Sequence, residues 1–133
     1  MPIARAASLL LALAACGWFA VGIRQAHDLG SADTILSGAK PISQPEARRV
    51  KALIDGAALL NPDKQVQLLR GRLALALGET RRAQAIFLKV SGQEPMDVRA
   101  WSLLGQAAGA NRSLALLALA RVRQLEPPVR QAP

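Results

Sequence analysis

The chain has 133 residues, 51% of them apolar but only 3% aromatic, with no Tyr and a formal net charge of +8. Ala and Leu, both strong helix formers, supply the apolar content, while β-branched residues are sparse, so a strand-rich fold is excluded and an all-α chain is expected. A single Cys, Cys16, excludes an intrachain disulfide. Thirteen Arg against four Lys make an anionic partner or a solvated basic helix surface the two readings of the charge.

Residues 6–23, Ala6 to Ile23, form an uncharged run in which only Ser8 is clearly polar, bracketed by Arg5 and Arg24. As a helix the run measures about 27 Å, the hydrocarbon thickness of a bilayer, so residues 1–24 are predicted to be an N-terminal transmembrane anchor in contact with membrane lipid. Two other readings stay open. Leu13-Ala14-Ala15-Cys16 has the form of a lipoprotein box, which would place lipid on Cys16, and cleavage after Ala14 would remove the segment. Against the box, the apolar part ahead of it is short, and the chain after Cys16 stays apolar where a polar tether is expected.

Residues 25–45, punctuated by Gly30, Gly38 and Pro41, are expected to be a connector with a short helix over Ala32 to Leu36. Ser43-Gln44-Pro45-Glu46 fits a capping box with Pro in the first turn. It opens a predicted helix from Glu46 to Leu60 with Val50, Leu53, Ile54, Ala57 and Ala58 on one face. Asn61-Pro62-Asp63 stops that helix, and Asp63 can cap the next, Lys64 to Leu77. Gly78 breaks the chain before a helix from Thr80 to Ser91, whose stripe is Ala83, Ile86, Phe87 and Val90. Glu94-Pro95-Met96-Asp97 precedes a helix from Val98 to Ala108, and Asn111-Arg112-Ser113 precedes the last, Leu114 to Leu125. Residues 129–133 are left as a tail.

A repeat runs through this part of the chain. Gly71 and Gly105 stand 34 residues apart, and Pro62, Pro95 and Pro127 follow at 33 and 32. Trp101, Leu104 and Gly105 form a Trp-x-x-Leu-Gly string, with Ala115 and Pro127 downstream. In the unit before it, Gly71, Ala83, Phe87 and Pro95 stand in corresponding places. The pattern resembles the tetratricopeptide repeat, a 34-residue helix-turn-helix unit. The resemblance covers residues 46–128 as about two and a half repeats, with the first helix of the earliest eroded into the connector. A non-repeat bundle of five helices is the alternative.

Chemistry is looked for without result. His27 has no second His or Cys to complete a zinc set, and no carboxylate pair, Gly-x-Ser-x-Gly string or phosphate loop is present. No catalytic residue, cofactor or metal is therefore assigned, and the chain is not read as an enzyme. Nucleic acid is a poor partner: Trp18 and Phe19 belong to the apolar run and Phe87 and Trp101 to the repeat, so no stacking platform is left and only nonspecific phosphate contact remains.

The resemblance implies protein–protein interaction through a groove lined by the first helix of each repeat. Its groove positions carry over to Gln65, Leu68, Arg72 and Leu75 in one repeat and to Arg99, Ser102 and Gln106 in the next. Two Arg among amides and Leu would suit an acidic or carboxylate-bearing segment of another protein. The expected role is a membrane-anchored scaffold of the bacterial envelope, with the repeats on the periplasmic side. A lipoprotein with lipid on Cys16 in a similar assembly, and a basic helical protein that contacts a membrane surface or nucleic acid, are the alternatives.

Overall fold

The structure, a computed structural model, describes residues 2–38, 41–60 and 63–126, with the side chains of Ser8 and of Leu10 onward except that of Leu60. Among the described residues there are six helices and no strand: α1 (Pro2–Leu36), α2 (Gln44–Leu60), α3 (Lys64–Ala76), α4 (Thr80–Gln93), α5 (Val98–Ala107) and α6 (Arg112–Leu125). Each packs against the next, α1 also touches α3, and α3 also touches α5. The chain is thus a stack of three helical hairpins, an all-α, helical-repeat-like arrangement.

Local signals set most boundaries. Ser43 and Glu46 form the expected capping box: the Ser43 N–H donates to Glu46 Oε2 at 2.8 Å and the Glu46 N–H donates to Ser43 Oγ at 3.4 Å. Asp63 caps α3 by accepting from the Val66 N–H at 3.1 Å, and Asp97 caps α5 by accepting from the N–H groups of Arg99 and Ala100. Asn111 does the same for α6 through the Leu114 N–H. The chain leaves α3 through Gly78, whose φ of +76° is open to glycine at no steric cost.

The expected connector is not one. Residues 25–36 are helical and continue α1 without a break, so the first helix of the first hairpin is present and the described residues form three full hairpins. Gly30 lies inside this helix, where glycine costs about 1 kcal/mol relative to alanine. Tertiary burial overrides that cost, because Leu29 and Ala32, on either side of it, are buried against α2 and α3. The helix ends at Ser37 and Gly38 instead.

The core falls into two clusters that share α3. Leu29, Ala32, Val50, Ile54, Ala57, Val66, Leu69 and Leu73 join α1, α2 and α3. Leu68, Ala74, Ala83, Phe87, Val90, Ala100, Trp101, Leu104 and Ala118 join α3, α4, α5 and α6. Because α3 is covered on two sides, its apolar residues do not form the single stripe of a surface helix. Trp101 is held by its ring N–H, which donates to the Pro95 carbonyl at 2.9 Å, and the Arg121 guanidinium lies 5.8 Å from its ring centre. Pro62 and Pro127, two of the three repeating prolines, lie outside the described residues.

The amino-terminal part of α1 has no such cover. Every described side chain from Leu10 to Arg24 is exposed, including Leu13 at 69% and Trp18 at 78%. Among the described residues no helix is long and apolar enough to cross a membrane. The transmembrane expectation gains no support on that count, although the run that motivated it begins at Ala6, whose side chain lies outside the described residues.

Candidate functional site

The first helices of the three hairpins, α1, α3 and α5, bring three charged residues together. Arg72 on α3 donates through Nη1 to Asp33 Oδ1 on α1, and through Nη2 to Ser37 Oγ at 2.9 Å. Arg99 on α5 donates through Nη2 to the same Asp33 oxygen at 3.2 Å. One carboxylate therefore holds two guanidiniums across three helices, and the cluster keeps a net positive charge.

The two arginines differ in what they leave available. The Arg72 side chain is 17% exposed and has both terminal nitrogens engaged, whereas that of Arg99 is 51% exposed. A guanidinium carries five N–H donors, so Arg99 keeps donors for an incoming acceptor. A second carboxylate arriving there would meet a cation that Asp33 neutralises only in part.

The expected groove residues divide accordingly. Gln65, Ser102 and Gln106 are exposed, as a recognition surface requires. Leu68 is buried in the second core cluster and Leu75 packs partly buried against it, so both belong to the core that joins α3 to α4, α5 and α6. Arg72 is a structural cation held by α1. Asp33 is the member that sequence reasoning missed. It was placed in a connector, and its partners lie 39 and 66 residues away.

The repeat positions divide as well. Gly71, Ala83, Phe87, Trp101 and Leu104 are buried, Gly105 and Ala115 are half-buried, and Pro95 is exposed and acts through its carbonyl. Among the described residues no group of His, Cys, Asp or Glu could hold a metal ion. Cys16 is exposed midway along the uncovered part of α1.

Asp55 on α2 bridges two further cations. Lys51 Nζ lies 2.5 Å from one of its oxygens and Arg70 Nη2 lies 3.2 Å from the other. The Lys51 hydrogen bond, with help from Arg70, holds the Asp55 carboxyl below its ordinary range against the opposing effect of desolvation.

No family model, curated protein or solved structure matches the chain. The likeness to the tetratricopeptide repeat therefore rests on the residue spacing alone.

Proposed function

We infer that this protein is a protein-interaction module held at a membrane by the amino-terminal part of α1. The observation that carries the reading is the division of α1 itself. One continuous helix is an uncovered apolar rod over residues 10–23 and an integral member of the first hairpin from Leu29 onward. At roughly 100° per residue, Leu10, Leu11, Leu13, Trp18, Phe19, Val21 and Ile23 are spread around the whole circumference of the rod rather than along one stripe. A helix apolar on all sides suits lipid, which surrounds it, better than a partner helix, which covers one seam. The full helix of 35 residues is about 52 Å long. It therefore passes directly from the anchor into the repeat body, with no flexible joint among residues 24–36.

The interaction surface in this reading is the face of α3 and α5 that carries Gln65, Arg99, Ser102 and Gln106, and the partner is an acidic or carboxylate-bearing segment that meets the free donors of Arg99. The tetratricopeptide resemblance supports this assignment by analogy. A photo-reactive side chain placed at Gln65, exposed on α3 and away from the groove between α5 and α6, tests it in cells. It is expected to cross-link a discrete protein whose yield falls in the Arg99→Gln variant, while the same group at Ala52, exposed on α2, does not capture it. Equal capture at both positions sinks the groove assignment.

A further inference from the structure

Among the described residues α6 is the last helix of the stack, and the groove it forms with α5 is open. In the preceding hairpin, Leu68 and Gly71 on α3 with Ala83, Phe87 and Val90 on α4 are buried, and the four of them other than Gly71 share the core cluster with Ala100, Trp101, Leu103 and Leu104 of α5. Helix α5 is thus the occupant of that groove. The positions that repeat them, 34 residues on from α3 and 32 on from α4, are Ser102, Gly105, Ala115, Leu119 and Val122. With Trp101 these residues line an open groove of about 250 Å³ between α5 and α6. Leu119 there is 44% exposed, whereas its counterpart Phe87 is fully buried. A repeat array normally closes such an end with a polar helix, and no described element does so here.

The face of α6 that runs past Leu119, at the edge of the groove, states the chemistry of what would cover it. Arg112, Leu116, Leu119 and Arg123 recur at i, i+4, i+7 and i+11 on α6 and are all exposed, so they form one stripe with an apolar centre and a cation at each end. The two arginines are 11 residues apart, about 16 Å along the helix. From Arg112 to Leu125 α6 contains no Asp or Glu, and neither arginine has a carboxylate in salt-bridge range among the described residues. A second copy of this chain would bring its own excess of +8 to that face.

We propose that the open groove between α5 and α6 is a second docking surface, which takes an amphipathic helix of a partner protein with acidic flanks. The occupant is a helix because the same positions one hairpin earlier are filled by a helix. Its flanks are acidic because Arg112 and Arg123 have no carboxylate in salt-bridge range among the described residues, and the one carboxylate beside them, Glu126 at the end of α6, leaves the face with a net positive charge. Its apolar face resembles that of α5, with small residues such as Ala100 and Ala107 beside large ones such as Trp101 and Leu104.

The probe that tests this is a helix-stapled peptide with the sequence of residues 97–108 and Glu at the positions of Arg99, Ser102 and Gln106, matched by a second peptide with Lys there. Each is dye-labelled and titrated with the full chain in zwitterionic detergent, and anisotropy is read. The acidic peptide is expected to bind saturably and at least tenfold more tightly than the basic one. Leu119→Glu should weaken it at least tenfold. Because Leu119 is exposed, the melting temperature of that variant should stay within a few degrees of the parent. Arg112→Glu with Arg123→Glu leaves the apolar groove intact and should reverse the preference toward the basic peptide. Absence of saturable binding, or acidic-peptide binding unchanged in both variants, overturns the proposal. So does a concentration-dependent dimer of the chain that Leu119→Glu abolishes, which would assign the groove to a second copy.

Discussion

A Cβ added to Gly71 would stand 2.4 Å from Cε1 of the Phe87 ring. The ring is fully buried, so it has no room to withdraw. Overpacking of this kind costs about 1–3 kcal/mol, which exceeds the helix propensity of about 1 kcal/mol that alanine gains over glycine. Gly71→Ala is therefore expected to lower the melting temperature by several degrees, and Phe87→Leu in the same chain to restore part of the loss. At Gly105 the new Cβ would meet only Ala118 Cβ at 3.5 Å, an ordinary contact. Gly105→Ala is expected to be neutral or to stabilise by up to about 1 kcal/mol. Thermal unfolding of the two variants checks the contrast; equal losses would refute it.

The three-helix ion cluster should be unequal in its two arms. Arg72 is the less exposed cation and is bonded to both Asp33 and Ser37, so Asp33→Ala leaves it short of a partner in partly buried surroundings. A loss of about 1–2 kcal/mol is expected, between the values for surface and buried pairs. A double-mutant cycle by urea unfolding should give a coupling of Asp33 with Arg72 larger than that with the half-exposed Arg99. The reverse order would contradict the geometry.

Asp55 predicts a weak acid-sensitive contribution to stability. Its carboxyl is held below the ordinary range in the folded chain, first by the Lys51 hydrogen bond. A depressed folded pKa means the unfolded chain binds the proton more readily, so the contribution is present above the ordinary carboxylate range and is lost as pH falls through the folded value. The group is 45% exposed and screened by solvent, so Asp55→Asn should cost less than about 1 kcal/mol at neutral pH. Its stability curve should converge with that of the parent on acidification, and added salt should narrow the gap. A gap that widens in acid would contradict the assignment.

Cys16, the lone cysteine, reports directly on the proposed anchor. In intact vesicles it should resist a membrane-impermeant maleimide and react once detergent is added. Leu59→Cys in a Cys16→Ser background, at a position 87% exposed on α2, should react in vesicles from one side only. Equal labelling rates for Cys16 and the introduced cysteine in sealed vesicles would rule out burial of the helix in lipid.

The repeat body should begin near residue 25 rather than 46. A chain starting at residue 41 lacks Leu29 and Ala32 and uncovers Val50, Ile54 and Val66, which they help to bury. That truncation is expected to melt α2, seen as loss of amide protection over residues 44–60, whereas a chain starting at residue 25 keeps it. Undiminished protection in the shorter chain would show that the first hairpin is dispensable.

Much of this architecture is written locally in the chain. The caps Asp63, Asp97 and Asn111, the capping box at Ser43 and Glu46, and the left-handed Gly78 act within a few residues, so their effect is readable from spacing alone. The 34-residue recurrence of Gly71 and Gly105 likewise announces stacked hairpins. Other features depend on residues far apart in sequence, and only the packed structure decides them. Gly30 reads as a break, yet burial of Leu29 and Ala32 carries the helix through it. Leu68 and Leu75 read as groove residues, yet the core that joins α3 to α4, α5 and α6 takes them in. Arg72 and Arg99 read as free cations until the fold brings Asp33 between them. The sequence by itself determined which segments from residue 44 onward are helical and where most of them stop, because those preferences are set within one or two turns. Which faces are covered, and which charges are already satisfied, was decided by tertiary structure, because burial and ion pairing depend on what the rest of the chain places alongside.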